Sequence, residues 1–103
     1  MIELSADNLQ DVLSQNPKVL VQYGAGWCGN CRLMKPKFKR FDAETEGVEF
    51  VYVDAERYPE SRKFADVSNL PTFAAFHNGT LVKQVQTNRT ENLEELVNEI
   101  AHH

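Results

Sequence analysis

Residues 19–31 read Val-Leu-Val-Gln-Tyr-Gly-Ala-Gly-Trp-Cys-Gly-Asn-Cys, an apolar run followed by a glycine-containing loop and two cysteines. The run Val19–Tyr23 is dense in apolar residues and bounded by breakers, so it predicts a buried strand. Gly24-Ala25-Gly26 predicts the loop that leaves this strand. Because the Cys-x-x-Cys pair follows a strand and opens a helix, it predicts a redox site.

The first turn of a helix supplies the chemistry that such a pair needs. Unpaired N–H groups and a partial positive charge at a helix N-terminus stabilise a thiolate. We therefore expect Cys28 to lie at the exposed end of the helix, with its sulfur pointing outward, as the nucleophile. Cys31, one turn further along, is expected to lie beneath Cys28 and to resolve the mixed disulfide.

The segment after the motif is predicted to continue as a helix and to return as a strand. An apolar stripe at helical spacing consists of Met34, Phe38 and Phe41. Pro36 should kink this helix, and Gly47 should end it. Phe50–Val53 is a second β-rich run, so the three elements predict a right-handed βαβ unit with parallel strands.

The N-terminal part predicts one more strand and one more helix. Ile2–Leu4 predicts a short edge strand. Ser5 could cap the helix that follows, Leu4 could pack against Leu9 across the cap, and Asn16-Pro17 should end the helix. The apolar face of this helix consists of Leu9, Val12 and Leu13.

The C-terminal part predicts a short helix at Pro59–Ala65, a hairpin and a last helix. The runs Thr72–His77 and Leu81–Gln86 flank Asn78-Gly79, a pair typical of β-hairpin turns, and the pattern leaves open a loop longer than two residues. The last helix could be capped by either Asn88 or Thr90, and its apolar face consists of Leu93, Leu96, Val97 and Ile100. The hairpin and the βαβ unit together predict a mixed sheet with helices on both faces.

Composition limits the class of protein. The 103 residues are 42% hydrophobic and carry a formal net charge of −4, which favours one domain over residues 1–103 and argues against nucleic-acid binding. No apolar run is long enough to span a bilayer. The acidic start has no signal-peptide pattern, so we expect a cytoplasmic protein that does not bind membranes. His102-His103 is interpreted as a possible tag remnant.

The chain resembles the thioredoxin family over nearly its whole length. Val19–Cys31 is similar to the strand and active-site loop of the family, and Pro36 to its helix-kinking proline. A strand of the family ends at the position of Asp54. The cis-proline segment of the family matches Leu70-Pro71-Thr72, and its hairpin matches Phe76–Gly79. The resemblance implies an α/β fold with a central mixed five-stranded sheet and four flanking helices. It also implies a monomeric reductase of protein disulfides in electron transport and cell redox homeostasis, recycled by a thioredoxin reductase.

The resemblance also implies residues that bind the substrate. Pro71 is expected to be cis and to face the disulfide, where it would keep metals away from the cysteines. The backbone of Leu70 would pair with an extended substrate peptide, with Thr72 beside it. Trp27, Gly29 and Leu70 would form an apolar collar around Cys28. The redox-active disulfide itself replaces any bound cofactor.

Several positions depart from the family pattern. Gly29-Asn30 replaces the common Gly-Pro pair between the cysteines, and Asn30 could donate a side-chain N–H to the Cys28 sulfur. Gln22 replaces the buried aspartate of the family, and Phe50 aligns with the lysine that accompanies it. Gly24 replaces a tryptophan of the family. Thr87 stands near the end of the last strand, where the family has a glycine. These changes affect redox tuning, to which we assign Gly29, Asn30 and Gln22.

Other interpretations of the motif are weaker. A zinc site needs four ligands, and only His77, His102 and His103 remain to complete it. A structural disulfide would close too small a loop to stabilise the chain much. Two functions remain as alternatives to a reductase: a more oxidising oxidase or isomerase module, and a non-catalytic adaptor. A complete Cys-x-x-Cys argues against the adaptor, which needs no resolving cysteine.

The helix that follows the motif is basic, because Arg32, Lys35, Lys37, Lys39 and Arg40 all lie in it. A solvated helix face is the favoured interpretation of this charge, ahead of a surface on which a partner docks.

Overall fold

The computed structural model describes all 103 residues. Its helices and strands follow one another in the order that the sequence predicts. The strands are β1 (Ile2–Glu3), β2 (Lys18–Gly24), β3 (Glu49–Asp54), β4 (Thr72–His77) and β5 (Thr80–Gln86). The helices are α1 (Leu9–Gln15), α2 (Gly29–Glu44), α3 (Pro59–Arg62) and α4 (Thr90–Ala101). None of the four helices combines the length and the apolar composition that a membrane-spanning helix needs.

The five strands form one mixed sheet in the order β1-β3-β2-β4-β5. Strands β1, β3 and β2 run parallel, while β4 pairs antiparallel with both β2 and β5. The predicted fold class is therefore confirmed. The central strand β2 is buried because it has neighbours on both edges, and its carboxyl end leads directly into the cysteine motif.

The two faces of the sheet bury separate apolar clusters. One cluster packs α1 against the sheet, with Leu9 and Leu13 on alternating strand residues such as Val21 and Val53. The other packs α2 and α4 against the opposite face, with Phe38 5.0 Å from Phe50 between ring centroids. Alternation along β2 sends Val21 to the first face and Leu20 to the second, as the period of a strand requires.

Several predicted element ends are wrong. Helix α2 ends at Glu44, three residues before Gly47, because Thr45 already takes an extended backbone. Helix α3 ends at Arg62 rather than Ala65. The Asn78-Gly79 hairpin turn is correct and contains only these two residues, both with positive φ (50° and 81°), as a tight primed turn requires.

Neither predicted cap of the last helix is used. The N-cap residue of α4 is Arg89, which makes no side-chain cap hydrogen bond. Thr87 provides the side-chain acceptor at this helix start instead. Its hydroxyl oxygen accepts hydrogen bonds from the Arg89 amide at 3.0 Å and from the Asn92 side chain at 2.8 Å. The position where the family has a glycine therefore carries a turn-forming hydroxyl.

The N-terminal cap is also different from the prediction, since Ser5 does not cap α1. Asp7 accepts from the amides of Glu60 (3.0 Å) and Ser61 (2.7 Å) at the start of α3. Ser61 in turn accepts from the Leu9 amide at 3.1 Å, and the Tyr23 hydroxyl donates to the Ser61 carbonyl at 2.8 Å. This network joins α1, α3 and the central strand.

We expect Asp7→Asn to lower the melting temperature at neutral pH, because the Glu60 and Ser61 amides donate to different carboxylate oxygens and asparagine keeps only one of these acceptors. Burial opposes ionisation of Asp7, but hydrogen bonds from Ser61 and Glu60 outweigh it and lower the pKa of the carboxyl below its ordinary 3.8. The stabilisation is therefore present above that pH and is lost as the pH falls through the folded-state pKa. Thermal melts from pH 7 to pH 3 should show the two proteins converging, and a constant difference would contradict this role.

Candidate active site

The two cysteines lie where β2 ends and α2 begins. Cys28 is the N-cap residue of α2, with an extended backbone (φ −86°, ψ 108°). Its sulfur accepts from the Cys31 amide at 3.1 Å, and its carbonyl accepts from the Arg32 amide at 3.2 Å. Cys28 and Cys31 are joined by a disulfide, with their Cα atoms 5.2 Å apart. The helix N-terminus therefore offers a backbone N–H to the sulfur of Cys28.

The exposed position predicted for Cys28 is not seen in this oxidised form. Cys28 is only 5% exposed and Cys31 1%. The reason is packing: the pair forms a small apolar cluster with Ala25, and Leu70 packs against it. Cys28 is still the more accessible of the two, as its place one turn nearer the helix end requires.

Only some of the predicted substrate-binding residues reach the surface. Trp27 is 66% exposed, and Gly29 is also exposed. The Leu70–Pro71 peptide bond is cis, and Leu70 packs against the cysteine cluster. Thr72 is 1% exposed, and its hydroxyl donates to the Asn69 carbonyl at 2.6 Å. The Thr72 side chain therefore lies beneath the surface, where a substrate would not contact it.

Gln22 lies beneath the motif, as its position in the middle of β2 predicts. It is fully buried, and its Nε2 donates to the carbonyl oxygen of Cys31 at 3.1 Å. Its Oε1 has no hydrogen-bond partner, a condition shared among buried side-chain atoms only with the Tyr58 hydroxyl. An unpaired buried acceptor costs stability. Gln22 therefore places a neutral amide, which cannot act as a base, beneath the motif.

Comparison with known proteins identifies the fold and the motif together. The thioredoxin family model matches residues 1–101. The chain belongs to the thioredoxin family. Thioredoxin from rabbit (Oryctolagus cuniculus) is 31% identical over 98 residues, which are 93% of each chain. Thioredoxin from Mycoplasma genitalium is 30% identical over 80 residues, which are 78% of each chain.

The solved structures agree with these relatives. Reduced thioredoxin pre-protein from Schistosoma mansoni is 32% identical, covers 96% of each chain and superposes with a TM-score of 0.88. With the family and the Cys28–Cys31 disulfide both present, the chain is a thiol–disulfide oxidoreductase that acts on protein disulfides.

Asn30 does not make the contact that the sequence suggested. The Cys28 sulfur takes its hydrogen bond from the Cys31 backbone, and Asn30 is exposed with no side-chain hydrogen bond. The helix already directs the Cys31 amide at the sulfur, whereas a bond from Asn30 would require its side chain to be held in one conformation. The backbone donor is therefore preferred to the Asn30 side chain. Of the two polar side chains assigned to redox tuning, only Gln22 makes a hydrogen bond to the motif, through the Cys31 carbonyl.

Tyr52 is a residue near the active site that sequence reasoning missed. Gly24 stands where thioredoxins carry a tryptophan, and a Cβ added there would overlap the Tyr52 hydroxyl. The Lys35 ammonium lies 4.2 Å from the centroid of the Tyr52 ring and pairs with Glu3 at 2.6 Å. Burial, with the charges of Asp54 and Glu3, raises the pKa of Tyr52. An aromatic ring from the neighbouring strand thus fills the space that Gly24 leaves.

We expect Gly24→Ala to destabilise the protein by about 1–3 kcal/mol, the usual cost of overpacking. The matched control is Gly26→Ala, where an added Cβ meets nothing within 4 Å. Urea unfolding of both variants measures the difference. Adding Tyr52→Ala to Gly24→Ala should reveal a favourable coupling in a double-mutant cycle. Equal costs at Gly24 and Gly26 would contradict the packing described.

Proposed function

We propose that Cys28 is the nucleophile and Cys31 the resolving cysteine of a reductase of protein disulfides. The observation that carries these roles is the position of Cys28 as the N-cap of α2, where its sulfur accepts a backbone N–H. That donor and the positive end of the helix stabilise negative charge on this sulfur when the disulfide is reduced. Cys31 lies deeper and lacks this position.

The reaction consists of two exchanges. The Cys28 thiolate attacks one sulfur of the substrate disulfide, forms a mixed disulfide and releases the other substrate sulfur as a thiolate, which takes up a proton. The Cys31 thiol then loses its proton and attacks the Cys28 sulfur. The second substrate thiolate leaves and is protonated, and the Cys28–Cys31 disulfide forms. Two electrons pass from the protein to the substrate.

The surface around the pair suits an extended peptide. Leu70, next to the cis proline, lies against the cysteine cluster, and its backbone can pair with a substrate strand beside the disulfide. Trp27, next to Cys28 in the chain, is the most exposed of the large hydrophobic residues, with 66% of its surface accessible. Trp27 and Gly29 would contact the substrate side chains that flank its cysteine.

The cellular setting completes the proposal. The protein acts as a cytoplasmic monomer in electron transport, and a thioredoxin reductase returns electrons to the Cys28–Cys31 disulfide. Neither nucleic acid nor a membrane takes part. The net negative charge of the chain argues against binding to nucleic acid. The disulfide pair carries the electrons without a bound cofactor.

Reduction of insulin by dithiothreitol tests the activity. The protein at catalytic concentration should accelerate the precipitation of the insulin B chain well above the rate with dithiothreitol alone. The protein alkylated at its cysteines is the matched control and should give the uncatalysed rate. No acceleration by the intact protein would favour the non-catalytic adaptor.

A further inference from the structure

Helix α2 contains a segment with a net positive charge, whereas the rest of the chain is net negative. Five of the eleven basic residues lie between positions 32 and 40, a segment with no acidic residue. The other six basic residues are set against all fifteen acidic residues. The formal charge is therefore +5 on this segment and −9 elsewhere, consistent with the net charge of −4. The active-site helix is the positive pole of an acidic protein.

Part of this charge has no acidic partner. Lys35 pairs with Glu3 at 2.6 Å, and Arg40 lies 3.8 Å from Glu44. Arg32, however, donates only to the carbonyl of Gly26 in the active-site loop, at 2.7 Å. Lys39 is exposed and forms neither an ion pair nor a hydrogen bond. Exposed charges without internal partners remain free to interact with another molecule.

Apolar surface lies among these charges. Met34 and Phe38 face the core, so the opposite side of α2 faces solvent, and there Leu33 is 53% exposed. Leu33 follows Gly29 by one helical turn and therefore lies next to the cysteine motif. Trp27, 66% exposed, precedes the same helix end. Exposed apolar side chains with a polar rim are typical of surfaces that bind proteins.

We propose that the outward face of α2, defined as Trp27, Arg32, Leu33, Lys39 and Arg40, binds an acidic protein surface beside the disulfide or dithiol of a redox partner. The proposal rests on the proposed function and adds a class of partner to it. Glutamate or aspartate side chains would meet Arg32, Lys39 and Arg40, and an apolar side chain would meet Leu33. The excess of basic over acidic residues on this face also steers an acidic partner toward the cysteines during diffusion.

Charge-matched peptides test the proposal. Three peptides carry the same disulfide loop and a neighbouring leucine, flanked by glutamates, serines or lysines. Stopped-flow mixing with the reduced protein gives a rate constant for each. We expect the glutamate peptide to react about 10-fold faster than the lysine peptide at low ionic strength. The ratio should approach 1 in 1 M salt, where the Debye length is about 3 Å.

Variants separate the outward face from net charge. Lys39→Glu with Arg40→Glu should lower the ratio of glutamate-peptide to serine-peptide rates at least threefold. The control, Lys63→Glu with Lys83→Glu, makes the same charge change on other surfaces and should keep the ratio. Leu33→Ser should lower the glutamate-peptide rate without changing its salt dependence.

Two results would overturn the proposal. One is a ratio of glutamate-peptide to lysine-peptide rates near 1 in the unaltered protein, and the other is an equal fall of the glutamate-to-serine ratio in both double variants. An unchanged rate in Leu33→Ser would remove the apolar contact. Failure of the serine peptide to react at all would instead refute the proposed function, so the two failures are distinguishable.

Discussion

Cys28→Ser should abolish turnover, with the rate falling to that of the uncatalysed exchange, because the nucleophilic sulfur of the first step is gone. Cys31→Ser should do something different. The first exchange still proceeds through Cys28, but no thiol attacks the mixed disulfide, so substrates remain attached through Cys28. Non-reducing electrophoresis and mass spectrometry would detect the attached chains.

Alkylation provides an independent check on these roles. In the reduced protein, iodoacetamide should modify Cys28 at least 10-fold faster than Cys31 at neutral pH, since Cys28 has the helix N-terminus and the greater access. Faster modification of Cys31, or trapped substrates in the Cys28→Ser variant, would reverse the assignment.

Gln22→Asp should accelerate the resolving step near neutral pH by about 100-fold or more, within the range usual for general-base catalysis. Gln22 is fully buried and its Nε2 contacts the Cys31 carbonyl, so a carboxylate introduced there lies beside the cysteine that must lose a proton. Burial raises the pKa of such a carboxyl, and a new titration should therefore appear in the pH–rate profile. Rapid mixing of the reduced variant with a peptide disulfide follows this step.

Gln22→Leu is the matched control for this experiment. It removes the hydrogen bond to Cys31 without adding a titratable group, so it should add no new pKa to the profile. If Gln22→Asp leaves the profile unchanged, position 22 takes no part in proton transfer in this protein.

Most of the fold was predictable because its determinants are local in sequence. Val19–Tyr23 and Phe50–Val53 are apolar runs that favour a buried strand, and the observed β2 and β3 extend each by one residue at each end. Asn78-Gly79 fixes its hairpin by the positive φ that both residues adopt. Cys28 and Cys31 are three residues apart, so a single helical turn determines their geometry.

The features that could not be predicted depend on contacts distant in sequence. Asp7 caps a helix more than fifty residues away, and no local pattern links it to Ser61. Tyr52 fills the space at Gly24 only because β2 and β3 pair in one particular register. The burial of Cys28 likewise depends on Leu70, which reaches it from another loop. Sequence reasoning identifies the redox pair, whereas the packing around it requires the structure.

The reduction potential depends on the same buried position. A carboxylate near the cysteines repels a thiolate, and the neutral amide of Gln22 removes that repulsion, which favours the reduced form. One unit of thiol pKa corresponds to about 1.4 kcal/mol, or about 30 mV for a two-electron couple. Thioredoxin itself has a reference value of about −270 mV, so we expect this protein to be a weaker reductant, near −240 mV.

Equilibration of the Cys28–Cys31 pair against dithiothreitol and glutathione buffers tests whether this disulfide is redox-active or structural. We expect a potential between about −270 and −240 mV, and a shift toward more negative values in Gln22→Asp. A potential below about −300 mV, the range of structural disulfides, would contradict it.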